Sequence, residues 1–463
     1  METLQRTFGQ AQALHRAGRL REAEPLYRAV LEQLPGQQLA THRLGMLLLQ
    51  SNRPDEAEPY LRASVSGSDA PPEAAAHLGL ALHQLGQYEQ ALHWFARADA
   101  ASAGARLPFW RANTLVELGR FDAADADFGR ALMLDPGFAD ARRNRGIARL
   151  LRGDYARGLE DYEYRRPVDP ARRREFAGAL PDWSGEPLQG RAILVTDATG
   201  LGDELQFCRY LPLLADAGAT VGFRGNPRLY RLLSSLDPRI VLVAPDAPIE
   251  PAYQLHCKLL SLPLLMHTRL DSIPAITPYL RAEPELAAHW AGRLGAAGFH
   301  TAGFRVGVCW KGNPRRSIDA GRSFPLALMQ GIAAIPGIRL LSLQMGVGSE
   351  ELAMLPPGMR VESLGDDFDS GSDAFVDTAA VMQHLDLVIS CCTSVPHLAG
   401  ALRRPTWVAL KSVPEWRWGL GRDDNPWYPE MRLFRQPARG DWQSVFSAME
   451  RALQPLVAGA GRS

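Results

Sequence analysis

The sequence predicts an α + α/β fold, in which an array of helical repeats precedes two α/β halves. Three observations support this fold class. A pattern of small and aromatic residues recurs through the first third of the 463-residue chain. Short apolar runs then alternate with helix-like segments, as in parallel sheets that are covered by helices. Small polar turns follow several of these apolar runs, at the positions where ligands bind such sheets.

The composition limits the classes of partner. Acidic and basic residues number 51 each, so the chain has no overall bias toward nucleic acid or an anionic membrane surface. No apolar run approaches the roughly 20 residues that span a bilayer. Residues 1–6 lead into an amphipathic pattern and lack the apolar segment of a signal peptide. We therefore expect a cytoplasmic protein that binds no nucleic acid and does not insert into membranes.

The cysteines do not predict a metal site. They form no C-x-x-C pair, which argues against a zinc ribbon or a thioredoxin-type site. The histidines and acidic residues likewise show no metal-ligand spacing. We expect reduced, buried thiols, no protein-bound metal and no cofactor. The five cysteines are Cys208, Cys257, Cys309, Cys391 and Cys392.

A repeat of about 34 residues runs through the N-terminal third. Each copy has a small turn residue, then a second small residue, then a large apolar one. This pattern resembles the tetratricopeptide repeat, a helix–turn–helix unit. The five copies are Gly18…Ala23…Tyr27, Asn52…Ala57…Leu61, Gly86…Ala91…Phe95, Gly119…Ala124…Phe128 and Gly153…Gly158…Tyr162.

Each residue type in the repeat suits one place in a helix pair. A glycine, or Asn52 in the second copy, fits a tight turn in which φ is positive. The second small residue lets two helices approach, and the large apolar residue fills the space to the next repeat. Pro35 and Pro136 should end second helices. We therefore expect about ten helices stacked in a right-handed superhelix.

A superhelix of this kind presents a concave surface, and such surfaces usually hold peptides or proteins. The sequence thus predicts a protein partner on the concave surface of the repeat array. An alternative stays open, in which the array only rigidifies or dimerises the protein.

Beyond Arg166 the helical period ends and prolines mark a linker. Strands then alternate with helices, which predicts two Rossmann-like halves with a crevice at the carboxyl ends of their strands. The predicted strands are 192–196, 220–223, 240–243 and one near Leu255, then 306–310, 339–343, 360–363, 385–390 and 406–410. The predicted divisions are the repeat array 1–166, a linker 167–186, a first half 187–285, a second half 286–440 and a C-terminal helix and tail 441–463.

In the first half, a strand leads into the turn Gly200-Leu201-Gly202-Asp203. Two glycines let the backbone turn sharply from strand to helix and let a ligand approach closely. Asp203 then lies at the edge of the crevice, where a carboxylate can accept a proton. The alternative is that Asp203 only caps the helix. The motif lacks the full G-x-G-x-x-G pattern, so it does not predict a nicotinamide cofactor.

In the second half, a basic loop follows the strand that ends near Trp310. Lys311, Arg315, Arg316 and Arg322 lie in this loop, where they could neutralise a diphosphate. Surface loops are also basic without binding a ligand, so that alternative stays open. The fold rule for parallel sheets favours a ligand role for at least one of these residues.

A second turn, from Ser390 to His397, joins the apolar run 385–389 to a helix-like run. Free backbone N–H groups and the positive end of a helix dipole converge at such a turn, which can therefore hold a phosphate. Thr393 or Ser394 can cap the helix, and Pro396 is tolerated in its first turn. The alternative is an ordinary strand-to-helix turn.

Together these segments resemble the heptosyltransferase-like (glycosyltransferase family 9-like) branch of GT-B glycosyltransferases, in the form fused to tetratricopeptide repeats. Each motif is short, but their order and spacing agree along nearly the whole chain. Besides the repeats, the matching segments are Gly200–Asp203 with Gln206-Phe207, Gly312-Asn313-Pro314 with Arg322-Ser323, Phe375–Ala379, Thr393–Leu402 and the tail Trp416–Pro429.

The resemblance implies a metal-independent transferase that holds a nucleotide-sugar in the second half and the acceptor against the first. It implies that Asp203 is the general base on the acceptor hydroxyl. Arg322 and Lys311 would offset the charge of the leaving diphosphate. The implied acceptor-side residues are Gly200, Gly202 and Gln206, and the implied donor-binding residues are Lys311, Asn313, Arg322, Gln344, Cys392, Thr393, Ser394 and His397.

The chain departs from the family pattern in the second-half turn. Related sequences usually carry Asp-Thr where this chain has Cys392-Thr393. Thr199 and Glu204 likewise occupy positions where Gln and Thr are common. A cysteine supplies no fixed negative charge at neutral pH unless its pKa is strongly depressed. Cys392 is therefore the residue that best separates an active transferase from an inactive relative.

Three functions follow from these observations. The first is glycosylation of a Ser or Thr of a protein that the repeats recruit, and the resemblance implies bacterial transferases that modify flagellin as a precedent. The second is an inactive scaffold or chaperone that binds a protein partner. The third is transfer of a sugar to lipopolysaccharide or another glycan, which gives the repeats no function.

Overall fold

The computed structural model describes residues 2–66, 70–98, 104–165, 180–196, 200–249, 253–296, 303–312 and 321–460. The chain divides into two compact units, Met1–Ala148 and Arg149–Ser463. The described part of the first unit is helical, and the second unit contains two parallel sheets. The predicted α + α/β fold class is confirmed.

Ten helices form the repeat region within the described residues, as the repeat count predicts. The second helices α2 and α8 end just before Pro35 and Pro136, which confirms those two stops. The helices are α1 (Glu2–Arg16), α2 (Leu20–Gln33), α3 (Gln38–Gln50), α4 (Pro54–Ser64), α5 (Ala74–Gln84), α6 (Tyr88–Ala98), α7 (Arg106–Glu117), α8 (Phe121–Leu134), α9 (Ala139–Leu151) and α10 (Tyr155–Tyr162).

The turn residues of the five repeats behave as predicted. All five have positive φ, from 57° at Asn52 to 86° at Gly153. The left-handed conformation costs an L-residue free energy that glycine avoids, and asparagine tolerates it better than most residues. The period of the sequence thus located five tight turns.

In the second and third repeats, the large apolar residue fills a space that a glycine on the preceding helix leaves open. A Cβ atom on Gly79 would lie 2.6 Å from the Phe95 ring, and one on Gly45 would lie 2.7 Å from Leu61. Phe95 and Leu61 are fully buried. The corresponding residue of the fifth repeat, Tyr162, is only half-buried.

The second unit includes the last helix of the repeats. Tyr155 of α10 accepts a hydrogen bond from Trp427 Nε1 at 3.1 Å, and its ring meets Trp416 edge-on. Helix α10 thus packs its aromatic face within the unit that carries the sheets. The predicted end of the repeat array, at residue 166, lies outside the described residues.

Nine strands form the two sheets within the described residues. Their order is β3-β2-β1-β4 in the first and β6-β5-β7-β8-β9 in the second, with every neighbouring pair parallel. The strands are β1 (Ala192–Thr196), β2 (Thr220–Arg224), β3 (Ile240–Leu242), β4 (Leu255–Lys258), β5 (Phe304–Cys309), β6 (Ile338–Ser342), β7 (Leu387–Cys391), β8 (Thr406–Leu410) and β9 (Met431–Arg435).

One strand predicted from the sequence was wrong, and one strand of the structure was not predicted. The predicted strand 360–363 is a single bridge between Glu362 and Leu341, because the chain leaves the sheet edge and turns at Gly365, where φ is 97°. Strand β9 was missed. Arg432 and Arg435 interrupt its apolar character, although Met431 and Leu433 alternate with Arg432 as buried and exposed residues, which is the period of a strand.

The helices of the second unit cover the sheets. None of the described helices is long and apolar enough to cross a membrane. These helices are α11 (Leu201–Phe207), α12 (Leu211–Asp216), α13 (Tyr230–Leu233), α14 (Leu262–Leu265), α15 (Pro284–Ala296), α16 (Gln330–Ala333), α17 (Val376–Met382), α18 (Ser394–Ala401) and α19 (Trp442–Ala460).

All five cysteines are free thiols, as expected. Four of them are buried, whereas Cys392 is partly exposed. The expectation of buried thiols is therefore wrong at Cys392, which follows the end of β7.

Candidate functional site

The predicted turns lie at the places where the strand order reverses. In the first sheet the order reverses between β1 and β4, and in the second between β5 and β7. In parallel sheets ligands bind outside the carboxyl ends of the strands at such a reversal. The turn at Gly200 follows β1, and the residues Lys311 and Cys392 follow β5 and β7.

The turn of the first half meets the turn of the second. A Cβ atom on Gly202 would lie 3.3 Å from both Ser394 Oγ and His397 Cδ2. Helix α11, which begins at Leu201, packs against α18. A side chain at position 202 would be in tight contact with α18, so the glycine favours this close approach. Residues from two separately predicted turns therefore lie close together.

Helix α18 starts at this junction with a side-chain cap. Thr393 Oγ1 accepts a hydrogen bond from the Val395 N–H at 3.3 Å, so the predicted capping residue is Thr393. The Ser390 hydroxyl donates to the Cys391 carbonyl at 2.8 Å, and its Oγ lies 3.4 Å from Thr393 Oγ1, which ties the end of β7 to the turn. The first N–H groups of a helix have no intrahelical acceptor and carry the positive end of its dipole.

The carboxylate of Asp203 is held by two donors. Its Oδ1 accepts from Arg417 Nη2 at 2.7 Å, and its Oδ2 accepts from the Gly200 N–H at 3.3 Å. The second bond caps α11, so the capping alternative is correct in its geometry. The side chain keeps 28% of its surface exposed. A carboxylate has about four lone-pair sites, so capping leaves capacity for a further donor.

Arg417 organises this side of the site, and sequence reasoning assigned it no role. Its guanidinium donates to Asp203, Glu415 and Gln206 and lies 4.5 Å from the centre of the Trp416 ring. The side chain is 8% exposed. Burial raises the pKa of Glu415, although Arg417 opposes the shift. The sequence did contain one signal, because Arg417 lies between two tryptophans. An arginine in such an apolar stretch can be buried, and a buried guanidinium needs carboxylate partners.

His397 is a neutral residue at physiological pH. Burial lowers the pKa of its imidazole well below the usual value, and the charges of Arg417 and Arg209 lower it further. Its Nδ1 shares a hydrogen bond with the Tyr428 hydroxyl at 3.0 Å, and its ring stacks on Trp418. His397 therefore shapes the site and offers no positive charge to a phosphate.

Cys392 is also uncharged. Its Sγ accepts a hydrogen bond from Trp418 Nε1 at 3.0 Å. Although Cys392 is partly exposed, the desolvation of its sulfur raises the pKa of this thiol to about 11, an effect to which Glu415 adds and which Arg322 opposes. Position 392 thus holds a neutral thiol at pH 7.

The basic residues after β5 differ in their surroundings. Lys311 Nζ lies 2.5 Å from Glu351 and 3.7 Å from Glu350, so its charge is already compensated. The guanidinium of Arg322 lies directly against Gly312, where a Cβ atom would be 2.3 Å from Nη2. The predicted residues Asn313, Arg315 and Arg316 lie outside the described residues.

The two predicted glutamines serve the framework of the site. Gln344 Oε1 accepts from the N–H groups of Trp310 and Lys311 at 3.1 and 3.0 Å, and its Nε2 donates to the Val347 carbonyl at 2.8 Å. It therefore joins the turns after β5 and β6. Gln206 Oε1 accepts from Arg417, whereas its buried Nε2 has no hydrogen-bond partner among the described residues.

Comparison with known proteins identifies the N-terminal region. Models described as tetratricopeptide repeats match residues 14–66, and 42–106 with 111–169. The N-terminal region is a tetratricopeptide array. Such repeats are typical of protein–protein interaction. Protein FlbA of Caulobacter vibrioides is 26% identical to this chain over 491 residues, which cover 93% of this chain and 81% of FlbA.

The remaining similarities cover smaller parts of the chain. RNA polymerase II-associated protein 3 of Xenopus tropicalis is 37% identical over 79 residues, 17% of this chain and 12% of that protein. Among solved structures, one match is YrrB, a tetratricopeptide protein whose peptide-binding site is described as unusual. The match covers 34% of this chain and 82% of the YrrB chain, with 23% sequence identity and a TM-score of 0.30. The match to the type IV pilus biogenesis factor PilW covers 38% of this chain and 83% of the PilW chain, with 19% sequence identity and a TM-score of 0.33.

Proposed function

We propose that this protein transfers a sugar from a nucleotide-sugar to a Ser or Thr hydroxyl of a protein that the tetratricopeptide array recruits. The meeting of Gly202 with Ser394 and His397 is the observation that supports the proposal. It brings a carboxylate and a helix N-terminus together at the switch points of two parallel sheets, as a GT-B transferase requires.

Asp203 acts on the acceptor in this proposal. Its carboxylate takes the proton of the acceptor hydroxyl while the oxygen forms a bond to the anomeric carbon of the sugar. The bond from that carbon to the phosphate oxygen breaks, and the nucleoside diphosphate leaves with the electron pair. Arg417 is a positioning residue, because its bond to Oδ1 fixes the direction of the carboxylate.

The second half stabilises the leaving diphosphate. The N-terminus of α18 and the guanidinium of Arg322 supply positive potential at the end of β5 and β7. Lys311 contributes only after it exchanges Glu351 for the phosphate, since the two groups form an ion pair at 2.5 Å. Thr393 and Ser394 place hydroxyl groups at the same helix start.

The test uses the full-length protein, a panel of nucleotide-sugars and flagellin as the first acceptor. A donor at 100 times its Kd should stabilise the protein by about 2.7 kcal/mol, and intact-mass analysis should show the sugar on the acceptor. Asp203→Asn should keep the donor shift and lose roughly 10²- to 10⁴-fold in transfer rate. Asp216→Asn, at an exposed ion pair with Arg239, is the control and should keep full activity. Equal transfer by Asp203→Asn would show that the base is misassigned.

A binding scaffold is the second candidate, and one observation favours it. The charges of the site are compensated internally: Arg417 binds Asp203 and Glu415, and Lys311 binds Glu351. A chain that has lost turnover could keep such pairs as structure. Absence of a thermal shift with every nucleotide-sugar, together with retained partner binding, would support the scaffold.

Cys392→Asp probes the departure from the family pattern. A carboxylate at this position would accept from Trp418 Nε1, as the thiol does at 3.0 Å, and would place a negative charge near Arg322. We expect the fold to be unchanged and donor affinity to change severalfold, measured by calorimetric titration. Cys392→Ser is the matched neutral control. Identical donor affinities for the aspartate variant and the wild type would contradict a donor role for this residue.

A further inference from the structure

A polar cavity in the unit Met1–Ala148 lies within the repeats. Its volume is about 760 Å³, and its walls come from α1, α3 and α7 with one tyrosine of α2. His15 forms part of the wall, with its ring nitrogens 3.1 Å from Gln50 Oε1 and 3.3 Å from the Tyr27 hydroxyl. These hydrogen bonds hold the side chains of the wall in place, which keeps the cavity open.

Three arginines from three different helices line this cavity. Arg16 ends α1, Arg43 lies within α3 and Arg106 begins α7, and all three are exposed. None of them forms an ion pair with a carboxylate among the described residues. Other arginines of the unit do, as Arg53 pairs with Glu24 at 2.7 Å.

The fields of these arginines overlap inside the unit. Burial raises the pKa of Tyr27, and the charges of Arg43 and Arg16 oppose that rise. Burial lowers the pKa of His77 to about 3, with further lowering by His42, Arg43 and Arg106. Among the described residues, the lining of this cavity has three cations and no anion, so it attracts a ligand of negative charge.

We propose that this cavity binds an acidic segment of a polypeptide, with carboxylates that pair with Arg16, Arg43 and Arg106. The planar guanidinium matches a carboxylate with two parallel hydrogen bonds. Met46 offers an adaptable apolar contact, and Gln12 can bond to a peptide backbone.

The size of the cavity favours a short peptide. Its volume lies within the range of about 300–1,000 Å³ of clefts that enclose small ligands, which suits a few residues and excludes a nucleic-acid duplex. The proposal deepens the proposed function, on which it rests for one point: the acidic segment is the part of the acceptor protein that the array recognises.

The test measures fluorescence anisotropy of labelled synthetic peptides with the full-length protein. Short peptides with several spacings of glutamate are compared with matched glutamine peptides. At least one glutamate peptide should bind roughly tenfold more tightly than its glutamine counterpart, and the difference should shrink at high salt. Arg43→Glu should weaken binding roughly tenfold or more, because attraction becomes repulsion, and Arg16→Glu combined with it should weaken binding further.

Arg21→Glu is the matched control, since Arg21 is exposed on α2 and lies outside the cavity lining. Arg21→Glu gives the protein the same net charge as Arg43→Glu, but it should leave peptide binding unchanged. Equal affinity for glutamate and glutamine peptides would overturn the proposal, as would equal weakening by Arg21→Glu and Arg43→Glu. A single-stranded RNA that outcompetes every peptide would also overturn it. The assay contains no nucleotide-sugar, so its result is independent of whether Asp203→Asn abolishes transfer.

Discussion

The tetratricopeptide unit and the α/β unit are stabilised by contacts of very different sequence separation. In the first, Phe95 packs on Gly79 and Leu61 on Gly45, each within one repeat. In the second, Arg417 bonds to Asp203 across 214 residues. Local contacts leave a period in the sequence, whereas distant contacts leave none. This difference explains why the repeats could be predicted residue by residue from the sequence, whereas the contacts of the candidate site could not.

Arg417 and the arginines around the cavity also differ in how they are used. Arg417 is buried and bonded to two carboxylates, which makes it part of the framework. Arg16, Arg43 and Arg106 are exposed around a cavity, which leaves their charge available to a partner. The same residue type thus supports structure at Arg417 and is available for recognition around the cavity.

Removal of a repeat core residue should have the largest effect on stability. Phe95→Ala leaves a cavity beside Gly79 and should lower the free energy of unfolding by about 3–5 kcal/mol. Chemical denaturation followed by circular dichroism at a helical wavelength measures the loss. Leu34→Ala, at a residue that is 41% exposed, should change it by no more than about 0.5 kcal/mol. A similar loss in both variants would contradict the packing argument.

Removal of the distant contact should act on the α/β unit. Arg417→Met keeps the apolar stem but leaves Asp203 and Glu415 without their shared cation, which should cost about 3 kcal/mol. Thermal unfolding should show the loss in the transition of the α/β unit and not in that of the repeats. Arg417→Lys keeps the charge without the planar fork and should lose less stability. An unchanged melting profile for Arg417→Met would show that the buried charge pair is dispensable.

The turn residues should give the smallest effect. Asn52→Ala removes a residue that tolerates positive φ and should cost about 1 kcal/mol, and Gly18→Ala about 1–2 kcal/mol. Asn52→Gly should stabilise slightly, since glycine adopts this conformation without strain. The denaturation midpoints of the three variants give the order of their stabilities. If Asn52→Ala is as stable as Asn52→Gly, the backbone conformation does not select the residue.

The two turns of the candidate site could be located from the sequence, because both turns follow apolar strands and parallel strands end at one edge of a sheet. Gly202, Ser394 and His397 were each named from such turns and do meet. The electrostatics could not be predicted in this way. Neither the neutral state of His397 nor the pairing of Lys311 with Glu351 follows from spacing, because both depend on burial and on residues brought from other loops.

By itself, the sequence determined the repeats, their turns, eight of the nine strands among the described residues and the positions of the two turns of the candidate site. These features depend on contacts between near neighbours or on the apolar period of single elements. Only the tertiary structure decided that Arg417 holds Asp203, that Cys392 stays a neutral thiol and that Arg16, Arg43 and Arg106 line one cavity. Charge, burial and distance between residues far apart in the chain are properties of the folded chain, since folding alone brings such residues together.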